Sequence, residues 1–301
     1  MFNIFLIVIF LCLGIVFQRF RFLPDNLAHN LNRYLIYVVL PALALLYLPK
    51  IELVPELALP VASAWISFGL SWLIFGILGK KLKWGNSITG CLVITSGLAN
   101  TSFVGFPIVQ ALYGDEGVKV ALLIDQAGSF IIVSSIAVIV ASIYSVEKKR
   151  KRDITKKILT FPPFLFFLIA IAMNISGFEI SGNMETLLRM IAATLTPVAL
   201  TAVGLQVKIS PDAYKSKFLW FGLGYKLLFI PLTILILFKF IFKLDGLMLQ
   251  VSVIEAAMAP MITGSIIAIT HHLEPKLASL MVGVGIPLSF LTIGIWYFIL
   301  A

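Results

Sequence analysis

Charge is scarce in this sequence, and so is cysteine. Asp, Glu, Lys and Arg make up 12% of the 301 residues, against 60% hydrophobic residues. Soluble domains carry about 25% charged residues, so this composition leaves too little polar material for a water-facing surface. The two cysteines, Cys12 and Cys91, lie inside apolar runs and form no CxxC pair, which removes a disulfide framework and a cysteine-based zinc site. His271 and His272 are adjacent at the end of an apolar run and point different ways on a helix, so no metal site is expected. No nucleophile–base arrangement, Walker loop, zincin motif or dinucleotide fingerprint occurs. An enzyme is therefore not expected, and there are no catalytic residues to assign. The first residues lack a positively charged region and a small-residue cleavage site before Arg19, so they read as a retained helix rather than a signal peptide.

What fills the chain instead is a series of long apolar runs, and the mean hydropathy is +1.05. Runs of this length cross a bilayer as helices, which pair every backbone N–H and C=O internally. We read ten spans, at about 2–18, 26–48, 56–79, 86–112, 116–144, 160–177, 184–206, 217–241, 246–271 and 276–300. The net charge of +9 does not imply nucleic acid, because the basic residues sit in the short gaps between spans, where topology signals belong. With the N-terminus outside, seventeen Lys and Arg fall in inside gaps and five in outside gaps. That bias predicts a multi-pass protein of the cell (inner) membrane with both termini outside. The basic segment EKKRKRD at 147–153 divides the chain near its middle and reads as a cytoplasmic anchor, with anionic lipid as the alternative partner.

The two halves echo one another. The second span carries LIYVVLPALALL at 35–46 and the seventh IAATLTPVALTA at 191–202, placing Pro41 and Pro197 at matching mid-span positions 156 residues apart. The fourth span carries SGLANTSFVGFP at 96–107 and the ninth EAAMAPMITGS at 255–265, with Gly105 and Gly264 159 apart. Both stretches collect Gly, Pro and small polar residues at mid-membrane depth. Two similar halves of five spans each must face opposite ways across the bilayer. Inverted repeats with paired interruptions at the midplane point to a secondary transporter's binding site. The half-helix N-termini favour an anion and the C-terminal carbonyls a cation.

Ionisable groups within spans are costly in lipid, roughly 2.5–3.5 kcal/mol each on insertion scales, and therefore informative. Glu255 lies about 15 Å beyond Asp245 at the helical rise, just before the break at Pro260. It is a candidate for a coupling cation or proton, or for an ion pair with a neighbouring helix. Asp125 and Gln126, with Ser129 one turn on, make a polar strip facing a cavity or the freed backbone of the fourth span. Lys226 either snorkels to an interface or is the counter-charge to Glu255 or to an anion. Arg189 reads as an interface anchor. Asn100, Thr101 and Ser102 precede a half-helix expected near Gly105, and cap it, contact substrate, or both. Thr263 and Ser265 are the weaker counterpart in the ninth span.

Residues 96–107, continuing through ALYG at 111–114 to Asp125 and Gln126, resemble the auxin efflux carrier family, and Ala257 to Pro260 is similar to that family's second break. The resemblance implies an all-α integral membrane fold like that of the auxin carriers and bile-acid symporters: ten transmembrane helices in two inverted five-helix repeats, with helices 4 and 9 broken and crossing. The repeats would be 1–145 and 160–301, joined by a basic cytoplasmic linker at 146–159. A scaffold from 2–48 and 160–206 would carry a transport domain from 56–144 and 217–300. It further implies efflux of a small organic anion and a homodimer through the scaffold, and Asn100, Pro107 and Pro260 match its crossing motifs; with Thr101, Ser102, Gly105 and Thr263, read above from the interruptions themselves, they make up the expected substrate site. No cofactor is implied beyond a coupling proton or Na⁺, for which Asp125, Glu255 and Lys226 are the candidates. Competing readings are a cation-coupled symporter or antiporter with the ion as cargo, and a receptor or scaffold that transports nothing.

Overall fold

The computed structural model describes residues 2–20, 23–24, 26–145, 161–207 and 215–300, with side chains from residue 5 onward. The basic linker at 146–159 lies outside them. Among the described residues every regular element is a helix, and the one isolated bridge pairs Ala99 with Pro260. The helices are α1 (Phe2–Phe17), α2 (Leu27–Lys50), α3 (Pro55–Lys81), α4 (Asn86–Gly97), α5 (101–113), α6 (115–144), α7 (Pro162–Ser176), α8 (Gly182–Gly204), α9 (Lys217–Ile241), α10 (Gly246–Ala256), α11 (Ile262–Thr270) and α12 (Pro275–Leu300).

Among the described residues, six helical runs are long and apolar enough to cross a bilayer. One of them, Thr101–Tyr144, has 44 residues, about twice a membrane's thickness at 1.5 Å per residue. Gly114 divides it: at φ 65° and ψ −158° it turns the chain between α5 and α6, in a conformation that glycine alone adopts without strain. The outward faces are apolar, with Leu73, Leu168, Leu291 and Phe298 among the exposed side chains.

Helices α1, α2, α7 and α8 pack mainly on one another, and α3–α6 pack with α9–α12. In the first group α1 meets α8 at Gly14 and Gly204, where a Cβ on Gly14 would lie 2.8 Å from the Gly204 Cα. Gln18 closes the end of that contact by donating to the carbonyls of Gly204 (2.7 Å) and Val207 (2.9 Å). Asn174 ties α7 to the end of α2 through the carbonyls of Leu48 and Ile51.

Pro41, Pro107 and Pro231 each follow closely on a π turn, at Leu35–Val39, Thr101–Gly105 and Tyr225–Phe229. A proline has no N–H for the carbonyl four residues earlier and collides with it, so the helix widens there. The carbonyl that Pro231 leaves open, that of Leu227, accepts instead from Trp296 Nε1 at 2.9 Å. The equivalent disturbance before Pro197 is a break at Thr194 between two α-helical stretches of α8.

Candidate functional site

Two helices stop in the middle of the protein and restart. After Gly97 the backbone extends through Leu98 and turns at Asn100, and α10 ends at Ala256 before restarting at Ile262. The two interruptions lie side by side and antiparallel. Asn100 N donates to the Ala259 carbonyl at 2.8 Å, and Met261 N to the Leu98 carbonyl at 3.0 Å. This exchange satisfies backbone groups that would each cost about 1–3 kcal/mol if buried without partners. Pro260 stands opposite Ala99 in the pair, where it needs no N–H.

Helix α5 begins at Thr101 rather than near Gly105. Asn100 is its N-cap, and its Oδ1 accepts from Phe103 N at 3.3 Å. Thr101 and Ser102 do not cap. Both hydroxyls donate to Asp125 Oδ1, Ser102 at 2.5 Å, and Gln126 Nε2 donates to Oδ2 at 2.7 Å. Asp125 thus has three donors, all from side chains, and it fastens the first turn of α5 to α6 instead of bonding a freed backbone group. It stands on a second kind of π turn, Ile124–Phe130, for which no proline accounts.

A cavity of about 340 Å³ opens beside the paired interruptions. Its polar wall is Asn100, Ser102, Asp125, Gln126, Ser134 and Thr263, and its apolar wall includes Phe103, Phe130, Phe161 and Met261. Two acceptor or donor atoms on this wall are buried without partners, Asn100 Nδ2 and Gln126 Oε1. The first turns of both α5 and α11 face it, bringing two partial positive charges to one space. The lining continues along α6 to Val138 and along α11 to Ile267, toward the end of the molecule where Ser145 Oγ donates to the His271 carbonyl at 2.9 Å.

At the Asp115 end of α6 lies a polar cluster. Tyr47 donates to Asp115 Oδ1 at 2.8 Å, Arg189 lies 3.6 Å from Asp115 Oδ2 and 2.8 Å from Glu185, and Lys50 lies 2.9 Å from Glu185. Arg189 is therefore part of an ion network between α2, α6 and α8, not an isolated anchor.

Behind the interruptions lies a second, much smaller chamber of about 10 Å³, room for one water-sized occupant. Ser63, Ser67, Thr101, Ser129, Lys226 and Glu255 line it. Glu255 is 1% exposed, and its carboxylate fills the space a Cβ on Gly105 would need, with neither oxygen hydrogen-bonded. Lys226 is wholly buried and donates to the Ala256 carbonyl at 2.9 Å, so it does not snorkel.

The residues singled out from the sequence thus divide into three sets. Asn100, Ser102, Asp125 and Thr263 share the cavity, while Thr101, Glu255 and Lys226 share the chamber. Gly105, Pro107 and Pro260 line neither space; the prolines shape the backbone around it, and Gly105 leaves room for the Glu255 carboxylate. Sequence reasoning missed Gln126 as an unpartnered group, Ser63 and Ser67 on α3, and Phe161. The serines at 63, 67 and 71 lie at i, i+4 spacing within an otherwise apolar span, a signal that was legible.

An all-helical protein with polar groups gathered at paired mid-membrane interruptions belongs to the class of multi-pass membrane transport proteins. The chain is a member of the family described as membrane transport protein, which includes the auxin efflux carriers and matches residues 1–297. It is 24% identical over 296 residues to an uncharacterized transporter of Methanothermobacter thermautotrophicus, covering 98% of this chain and 96% of the relative. It is 25% identical over 308 residues to an uncharacterized transporter of Methanocaldococcus jannaschii, covering 98% and 97%.

Proposed function

We propose that this protein is a secondary carrier that moves a small organic anion across the cell membrane by alternating access. One observation carries the reading: two half-helix N-termini and the buried, unpartnered Asn100 amide meet at one cavity. Desolvated donors of that kind are matched by a carboxylate, and about 340 Å³ is near the lower end of small-molecule sites. In this reading α4 with α5, and α10 with α11, each make one broken crossing. The ten crossings then form two inverted repeats. Helices α1, α2, α7 and α8 are the scaffold, which also offers the surface for a homodimer, and the rest form the moving domain.

The basic gaps put both termini outside and the Tyr144 end of α6 inside. The cavity then faces the cytoplasm, and the cluster around Asp115 closes the outer end. Tyr47, Lys50, Glu185 and Arg189 sit on scaffold helices and Asp115 on the moving domain, so this cluster has to part when the site turns outward. Replacing Asp115 by Asn is expected to weaken it by about 1 kcal/mol, as for a half-exposed pair. Labelling of an outward-facing cysteine should rise by roughly fivefold in that variant; an unchanged labelling rate would remove the cluster from the gate.

The reading is tested by counterflow of radiolabelled malonate and malate in proteoliposomes. Exchange that saturates and is lost in Asn100→Ala supports it, and absence of exchange for every small carboxylate tried would defeat it. The second reading, a carrier whose cargo is a cation, is favoured by the unpartnered Glu255 carboxylate at the chamber. Malonate exchange that persists when Glu255 is replaced by Gln separates the two.

A further inference from the structure

The chamber holds charges that the anion site does not use. Glu255 on α10 is buried with two empty oxygens, an arrangement tolerable for a neutral acid and expensive for a bare carboxylate. Two other charged groups face it: Lys226 from α9 and Asp125 from α6. The hydroxyls of Ser63 and Ser67 on α3, Thr101 on α5 and Ser129 on α6 complete the lining. Asp125 is already filled by its three donors. Among the described residues, Lys226 and Glu255 form no ion pair within 4 Å, and the space between the lining groups has room for about one water.

Lys226 occupies an informative place. Its ammonium donates to the last carbonyl of α10, at the helix end whose dipole attracts a cation. A metal ion at this break would meet a fixed ammonium in a space with room for about one water. A proton needs neither a shell nor a cavity. The carboxyl also backs onto Gly105, in the first turn of α5, whose N-terminus faces the anion cavity from the other side. A negative Glu255 therefore opposes an anion bound at Asn100, and a neutral one does not.

We propose that Glu255 is a proton-binding site coupled to anion binding, and that Lys226 is a tethered cation that keeps sodium out of the chamber. The proton passes from water to a Glu255 oxygen when the anion binds and returns to water when the anion leaves; only the O–H bond is made and broken. Linkage requires each ligand to raise the affinity for the other by the same factor. The coupling deepens the anion-carrier reading and rests on it, whereas the chamber's own preference for a proton does not.

The test uses the purified full chain in lipid nanodiscs without substrate. Its thermal midpoint is followed across pH 5 to 9 in choline chloride and in sodium chloride. Relative to Glu255→Gln, the wild type is expected to gain stability as pH falls, by about 2 °C or more, with no response to sodium. Lys226→Ala is expected to gain a sodium-dependent rise of similar size. A wild type that tracks Glu255→Gln at every pH, or that is stabilised by sodium through Glu255, overturns the proton site. A malonate arm separates the two ideas: the expected result is malonate affinity that falls about tenfold from acid to alkaline pH in the wild type and is pH-independent in Glu255→Gln. Malonate binding that ignores pH in both overturns the coupling. Failure of malonate and malate to bind at any pH, with the substrate-free pattern intact, counts against the anion reading alone.

Discussion

Replacing Asn100 by Asp is expected to lower the affinity for a small carboxylate by about 100-fold or more while leaving the helix start in place. Asp caps a helix as well as Asn does, so the bond from Phe103 N survives. What changes is the other half of the amide. Nδ2, now buried without a partner and facing the cavity, becomes a second negatively charged oxygen. Like charges brought together in a desolvated site cost several kcal/mol. Asn100→Ala makes a useful contrast. It loses the cap, at about 1 kcal/mol, and one bond to a charged ligand, worth about 1.5–3 kcal/mol. That predicts a 10- to 100-fold loss of affinity together with a lower thermal midpoint. Titration of malonate against both variants, with melting curves alongside, checks the pair. A role in capping alone would make Asn100→Ala the worse of the two.

Gly105→Ala should reduce transport by more than tenfold, although the backbone at Gly105 is ordinary helix and needs no glycine. The reason is contact. A Cβ there would lie 2.7 Å from Glu255 Oε1 and 2.8 Å from its Cδ. The carboxylate would have to give way, and the space beside it is the chamber, with about 10 Å³. Overpacking of this kind costs about 1–3 kcal/mol. It also drives Glu255 toward Lys226, closing the one-water space between them. The measurement is counterflow in proteoliposomes, paired with the thermal midpoint. If Glu255 alone is responsible, Gly105→Ala combined with Glu255→Ala should regain the stability lost in Gly105→Ala, because the colliding atoms are gone. A double variant no better than the single one would place the fault in the backbone.

The long apolar helices and the interruptions were legible because they rest on composition. Apolar runs of membrane length cannot be mistaken for a soluble core, and Gly, Pro, Asn and Ser collected at mid-span mark where a helix cannot continue. The grouping of side chains was not legible to the same degree. Helical spacing puts Asp125, Gln126 and Ser129 on one strip, but the π turn at Ile124–Phe130 shifts the register, so Ser129 lines the chamber and the other two the cavity. Lys226 also stands on a π turn, Tyr225–Phe229, and this aims its ammonium at Ala256 rather than at an interface. The expected half-helix start near Gly105 fell four residues late, because Asn100 is itself the cap and a π turn opens the helix. Thr101 and Ser102 were legible as polar groups at the break, but their bonds to Asp125 join residues more than twenty positions apart. No local pattern encodes such a pairing. The same holds for Asp115 with Tyr47 and Arg189, which stand in three different spans and meet only when the chain is folded.

The claim at the centre is that the cavity at the paired interruptions is reached by water from each side of the membrane in turn. Thr263 lines that cavity and is exposed within it, so Thr263→Cys is the direct probe. Cys12 is exposed and would be replaced by Ala, while the buried Cys91 can stay. Labelling with a membrane-impermeant thiol reagent, in right-side-out and inside-out vesicles, should succeed from both faces, faster from the cytoplasmic one, and be slowed by a transported carboxylate. A Thr263→Cys that labels from one face only, with or without ligand, would contradict alternating access at this site.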